Sequence, residues 1–233
     1  MYLESGKVQN CWTALTTGLT RRIIHSEIIE MKKEFMIFIQ KPDPTIVQQS
    51  IKDQRQKPFS YPEVGGTRER PPNGYVVDHN RVRLGFGVDT FVEAKAALRR
   101  WEMFQLGWIE LCWPEAPLAV GTTVAILGQA FGLWSLNVCR IVYVIDEVGP
   151  VERFGFAYGT LPEHLERGEE RFTIEWHHQD DSVWYDILAF SRPNQWLSRL
   201  SYPVIRQFQR HFARESLARM RQVVNPLDDT KYR

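Results

Sequence analysis

The chain has 233 residues, enough for one large domain or two small ones. Hydrophobic residues make up 43% and charged residues 24%, an ordinary composition for a soluble globular protein, and no apolar run reaches the ~18 residues that a membrane helix needs. Twenty-nine Lys and Arg against 28 Asp and Glu leave a net charge of +1, which removes the electrostatic case for nucleic acid or a membrane surface as partner.

The N-terminal stretch MYLESGKVQN carries Glu4 and lacks a basic segment followed by an apolar one, so it does not read as a secretory leader. Residues 1–35 show little periodicity and are expected to lie outside the fold, disordered or a consequence of start-codon choice, with further starts at Met31 and Met36. A single domain over 36–225 and a loose tail over 226–233 are expected to follow. The three cysteines, Cys11, Cys112 and Cys139, are odd in number, widely spaced and free of any CxxC pattern. That usage fits buried thiols in a reducing, cytoplasmic compartment. Cys139 lies inside LNVCRIVYV and reads as a core thiol.

Ile46, Val47 and Ile51 predict a short helix starting near Pro44. Residues 57–74 are dense in Pro and Gly and read as a loop. Val76 and Val77, then Val82, Leu84 and Phe86, suggest two short extended pieces around an Asp-His-Asn turn. A helix is expected from Asp89 or Thr90 to about Gly107, with Thr90 and Glu93 as a capping box. Its apolar stripe runs through Phe91, Ala94, Leu98 and Trp101. Candidate strands follow at 108–113, 122–130, 134–146, 151–160, 170–178 and 182–191, with turns at Asp146–Pro150, Pro162–Gly168 and Gln179–Asp181. Links this local imply antiparallel pairing. Pro203 fits the first turn of a long helix to about Val224. Its apolar face holds Ile205, Phe208, Phe212, Leu217, Met220 and Val224, and Arg206, Arg210, Arg214 and Arg221 are assigned to solvent.

This order predicts an α+β fold: a curved antiparallel sheet gripping a long C-terminal helix, a helix-grip layout with room for a cavity between them. In RFGFAYGT, Phe154, Phe156 and Tyr158 point to one side and Gly155, Ala157 and Gly159 to the other. The small side is expected to be the groove in which the helix lies.

Several blocks carry a family resemblance: FSYPEVGGTRERPPNGY, D..R..LGFG...F..A..AL..W..F...W from Asp78 to Trp108, CRIVYV, FGFAYGTLPEHLERGEERF, VWYDILAFSRP and YPVIRQFQRHFARESLARM. Together they resemble the uncharacterised family known as domain of unknown function nineteen-ninety, over about residues 57–222. The resemblance implies membership and supplies no activity. A place beside the START and Bet-v-one-like proteins is inferred from the element order, and fold alone does not establish function.

Arg140 alternates in phase with Leu136, Val138, Val142 and Val144, and Asp186 with Trp184, Leu188 and Phe190. A charge on such a face is costly unless paired or met by a ligand. Both are expected on the concave face, either as a structural ion pair or as a cavity-floor pair that orients a ligand head. The turn LPEHLERGEER holds Glu163, His164, Glu166, Glu169 and Glu170. It lacks a second His at helical spacing, so no metal is expected, and it reads as a solvated loop or a cavity rim. His177 and His178 are adjacent and face opposite ways as hairpin-end groups, while Asp78 and Arg81 are expected to pair locally. Tyr75 and Tyr158 suit a cavity wall with a polar handle. No P-loop, dinucleotide fingerprint or GxSxG occurs, and no cofactor is expected.

Three functions compete. The first is binding of a small apolar or amphipathic molecule in the cavity, with Arg140, Asp186, Tyr158, His164, Glu169, Glu170 and Tyr75 as candidate ligand-facing residues. The second is an enzyme using that cavity, with His164, Glu169 or Asp186 as acid or base. The third is an interaction module whose core is filled by its own side chains.

Overall fold

The computed structural model describes residues 36–194 and 202–226. The proposed extension over residues 1–35 and all but the first residue of the tail lie outside them.

The β-rich stretch between Thr123 and Pro193 folds as a run of local hairpins: β4 (Thr123–Ala130), β5 (Leu133–Glu147), β6 (Val151–Thr160), β7 (Glu166–His177) and β8 (Ser182–Pro193). Phe131 and Gly132, with φ of 50° and 75°, form the two-residue β4–β5 turn. Two left-handed residues match the twist of the flanking strands. The sheet is extended by β2 (Val76–Phe86) beside β8 and by β3 (Ile109–Leu111) beside β4, giving the antiparallel order β2-β8-β7-β6-β5-β4-β3. A short β1 (Ile37–Phe38) pairs with β5 at Ser135 and Trp134. The sheet is curled into a half-barrel.

Among the described residues, three helices cover it. On the outer face, α1 (Pro44–Gln54) starts at Asp43, whose carboxylate caps the Thr45 amide, with Pro44 in the first turn. Val47 of α1 joins Met36, Ala125, Leu127, Leu136, Val138 and Leu161 in a small outer core. On the inner face lie α2 (Gly87–Arg99), the short 3-10 turn Glu102–Phe104 and α3 (Tyr202–Val224). The main core joins Phe91, Leu98, Trp101 and Phe104 to Phe154, Phe156, Phe172, Ile174, Tyr185 and Ile187, and to Phe212, Met220 and Val224 of α3. Among the described residues no helix is long and apolar enough to cross a membrane.

The expected α+β helix-grip architecture is present, with several local corrections. Asp78, His79 and Asn80 are not a turn. They lie within the continuous β2, each paired with β8. Helix α2 begins at Gly87, and Thr90 bonds back to the Phe86 carbonyl instead of capping. It ends at Arg99, short of Gly107, because Trp101 adopts a left-handed backbone (φ 56°) and enters the core. There its ring meets Phe156 at 4.8 Å and its indole N–H reaches the Ala116 carbonyl. Strand β7 begins four residues earlier than expected, at Glu166.

The faces of β6 are reversed from the expectation. Phe154, Phe156 and Tyr158 meet the helices, whereas the small side looks outward. A Cβ at Gly159 would lie 2.2 Å from the Tyr61 hydroxyl, so the 57–74 loop, and not the C-terminal helix, uses the space this glycine leaves.

Candidate functional site

Between the inner sheet face and the first half of α3 lies a cavity of 440 Å³. Phe104, Trp108, Ile126, Ile187, Phe208 and Phe212 form its apolar walls. Trp108 is fixed from two sides: its indole donates to Glu215, and its ring stacks on His211 at 5.2 Å. Phe208 and the exposed Phe131 meet edge to face near its mouth.

The polar end comes from strand register. Asp78 pairs with Ala189, Ala189 with Glu170, and Glu170 with Tyr158, so four neighbouring strands bring one residue each into a single row. Tyr158 donates to the Glu170 carboxylate at 2.7 Å. On α3, Arg206 grips both oxygens of Asp78 at 2.5 and 2.6 Å. Gln209, one turn on, donates to Ser191 at 3.1 Å and reaches Glu166 at 3.5 Å. Glu166 is only 6% exposed, and its Oε1 is buried with no hydrogen-bond partner among the described residues.

Burial disfavours the charged forms of these groups. It pushes the Glu166 and Glu170 carboxyls up to about 7, against the pull of Ser191, Arg206 and Gln209 on the first and of the Tyr158 hydroxyl on the second. It pushes His164 down to about 4. The Nδ1 of His164 accepts from the Glu166 amide at 3.0 Å, which places the neutral ring's proton on Nε2. Asn194 holds the same turn through the Pro162 and His164 carbonyls.

Of the seven residues singled out from the sequence, Tyr158, His164 and Glu170 come together at this polar end. The other four have their polar groups engaged on the outer side. Arg140 does not meet Asp186. Its guanidinium donates to the Arg55 and Lys57 carbonyls and covers the Phe59 ring at 4.2 Å. It does share a face with Leu136 and Val138, but that face is the outer one. A bulge between Ile141 and Tyr143 then breaks the alternation on which the inward assignment depended. Asp186 is buried on the outer side, bonded to Arg171 at 3.1 Å and His79 at 2.6 Å. Glu169 accepts from Tyr61, from the Gly65 and Thr67 amides and from the Thr67 hydroxyl, pinning the 57–74 loop to β7. Tyr75 donates to Glu63 and packs on Phe190 in that same outer layer.

Asp78 and Arg81 do not pair with each other. Asp78 takes Arg206, which is therefore not on the solvated face assigned to it, and Arg81 takes Glu175. Asp78, Glu166, Arg206 and Gln209 also belong to the site and are not among the seven singled out from the sequence. The signal for Glu166 was available: with β7 begun at 166, it alternates in phase with Glu170, Phe172 and Ile174.

A curled antiparallel sheet closed by a C-terminal helix over a cavity with a polar end defines an α+β helix-grip protein. The chain belongs to the family described as Domain of unknown function (DUF1990), whose profile matches residues 60–219. A Dictyostelium discoideum relative, "UPF0548 protein", is 38% identical over 84% of this chain and all of its own. A Deinococcus radiodurans relative of the same description is 38% identical over 77% of this chain and 96% of its own. Among solved structures, a point mutant of Thalictrum norcoclaurine synthase with a transition-state analogue superposes with a TM-score of 0.41, at 11% identity over 68% of this chain and 99% of its own.

Proposed function

We propose that this protein binds a small amphipathic molecule in the cavity between sheet and α3. The apolar part lies among Phe104, Trp108, Phe208 and Phe212, and the polar head reaches Glu166, Glu170, Tyr158 and His164. The observation that carries this reading is the cavity itself: 440 Å³ of space, aromatic along its walls and polar at one end, in the size range of ligand pockets. It argues against a core filled by the protein's own side chains.

Native mass spectrometry of purified protein tests the reading, followed by titration with a neutral naphthylamine probe whose emission rises in apolar surroundings. A co-purified molecule or saturable probe binding at one per chain supports it. A protein that carries nothing and leaves the probe dark refutes it.

One observation favours acid–base catalysis as a second reading. Glu170 faces the cavity, is bonded to a tyrosine hydroxyl and sits at about 7, where a general acid or base works best near neutral pH. The pair that would act is then Glu170 with Tyr158. His164 is held neutral, and Glu169 and Asp186 are engaged on the other side of the sheet. Chemical change of a co-purified molecule on incubation, lost in Glu170→Gln, would favour this reading over simple binding.

A further inference from the structure

We infer that the head group recognised at the polar end of the cavity is a protonated amine, held by Glu166 and Glu170. This rests on reading the cavity as a ligand site and names the chemistry of what enters it.

Glu166 is 6% exposed and lines the cavity, yet its Oε1 has no hydrogen-bond partner among the described residues. Glu170 has the Tyr158 hydroxyl. Neither carboxyl forms an ion pair among the described residues. Arg206 gives both of its terminal nitrogens to Asp78, and His164 is neutral with Nδ1 already accepting. Tyr202, Ser191 and Gln209 complete the surroundings of Glu166 and bring no charge, while Arg210 is exposed at the rim. Asp78 and Arg206 cancel, so the ionised end carries two negative charges without a counter-ion.

Burying such charges unpaired is costly, and an ammonium group supplies both the opposite charge and three N–H donors. An anionic head would meet like charge at close range. A metal ion is the weaker fit, because among the described residues no three His, Cys, Asp or Glu come together to hold one. Binding has a proton balance. Carboxyls poised at about 7 must ionise to pair with the cation, so each one that does releases its proton to solvent.

Calorimetric titration of the intact chain with octylammonium, octanol and octanoate tests the assignment, in the wild type and in the double variant Glu166→Gln, Glu170→Gln. Octylammonium should bind at least about tenfold more tightly than octanol, with octanoate weakest. The double variant should lose that preference, binding octylammonium no more tightly than octanol. Should the variant fail to fold, the wild type alone decides: octylammonium affinity should rise between about pH 6 and pH 8 as the carboxyls ionise, and octanol affinity should not. Octanol binding as well as octylammonium, a preference that survives in the folded double variant, or a flat pH profile for octylammonium overturns the amine assignment and leaves the cavity reading standing. Failure of all three compounds to bind overturns both.

Discussion

Asp186 is 3% exposed, and its two oxygens are taken by Arg171 and His79. Removing its charge leaves the partly buried Arg171 guanidinium with the Thr67 carbonyl but without its ionic partner, which costs about 2 kcal/mol. Asp186→Asn should therefore lower Tm by roughly 4–8 °C for a domain of this size, while probe binding in the cavity is unchanged. A variant with wild-type Tm and weakened probe binding would place Asp186 at the ligand instead. Glu169 has the same structural character. Glu169→Gln replaces an oxygen that accepts from the loop with an amide donor, so hydrogen exchange at the Gly65 and Thr67 amides should accelerate. Unchanged protection there would show that the loop is held by other contacts. The alternation of charges with large apolar residues correctly marked Asp186 as a buried group. It could not say which face was buried, because both faces of this sheet are covered, the inner by α2 and α3 and the outer by α1 and the 57–74 loop.

At the scale of elements, α3 is held by aromatic packing on the 3-10 turn. Phe212 stacks on Phe104 with ring centres 5.3 Å apart, and Phe104 in turn meets Phe172. Phe212→Ala should cost about 3–5 kcal/mol in denaturant unfolding. A loss below about 1 kcal/mol would mean that α3 is not docked as described. The long C-terminal helix and the β4–β8 meander were legible from periodicity and turn residues, since both are set by local chemistry. The end of α2 was not. The apolar stripe continues through Trp101 and Phe104, and only tertiary packing reveals that Trp101 leaves the helix. The faces of β6 were misread for a similar reason. Small residues suggest close approach, but what approaches Gly159 is the Tyr61 ring from a loop distant in sequence.

For the whole molecule, Glu166, Glu170 and His164 at the polar end set the pH dependence of stability between about pH 4 and 7. Glu166 and Glu170 are raised from 4.5 to about 7, so the folded chain holds protons that the unfolded chain gives up. Their contribution falls as pH rises through that window. His164 is lowered from 6.5 to about 4 and acts oppositely, its contribution rising with pH over its own window. Two carboxyls outweigh one imidazole below pH 6.5, and only the carboxyls act between 6.5 and 7. The ligand-free protein should be more stable near about pH 5 than near about pH 8, and Glu166→Gln with Glu170→Gln should abolish or reverse that difference, because only the opposite contribution of His164 is left. An equal fall in the double variant would assign the effect to other groups. The sequence showed the carboxyls of LPEHLERGEER but not their grouping. Asp78, Glu166, Glu170 and Arg206 are brought together by the order β2-β8-β7 and by the docking of α3, which no local pattern encodes.

If a ligand binds in the space between sheet and α3, filling that space must weaken binding. Ala189 stands in the row between Asp78 and Glu170, and its side chain borders the open volume. Ala189→Leu fills that space without removing any polar group. Titration of this variant with the neutral naphthylamine probe should show binding weakened by at least about tenfold, with Tm equal to or above that of the wild type. Full probe affinity in a folded Ala189→Leu protein would contradict binding in that space.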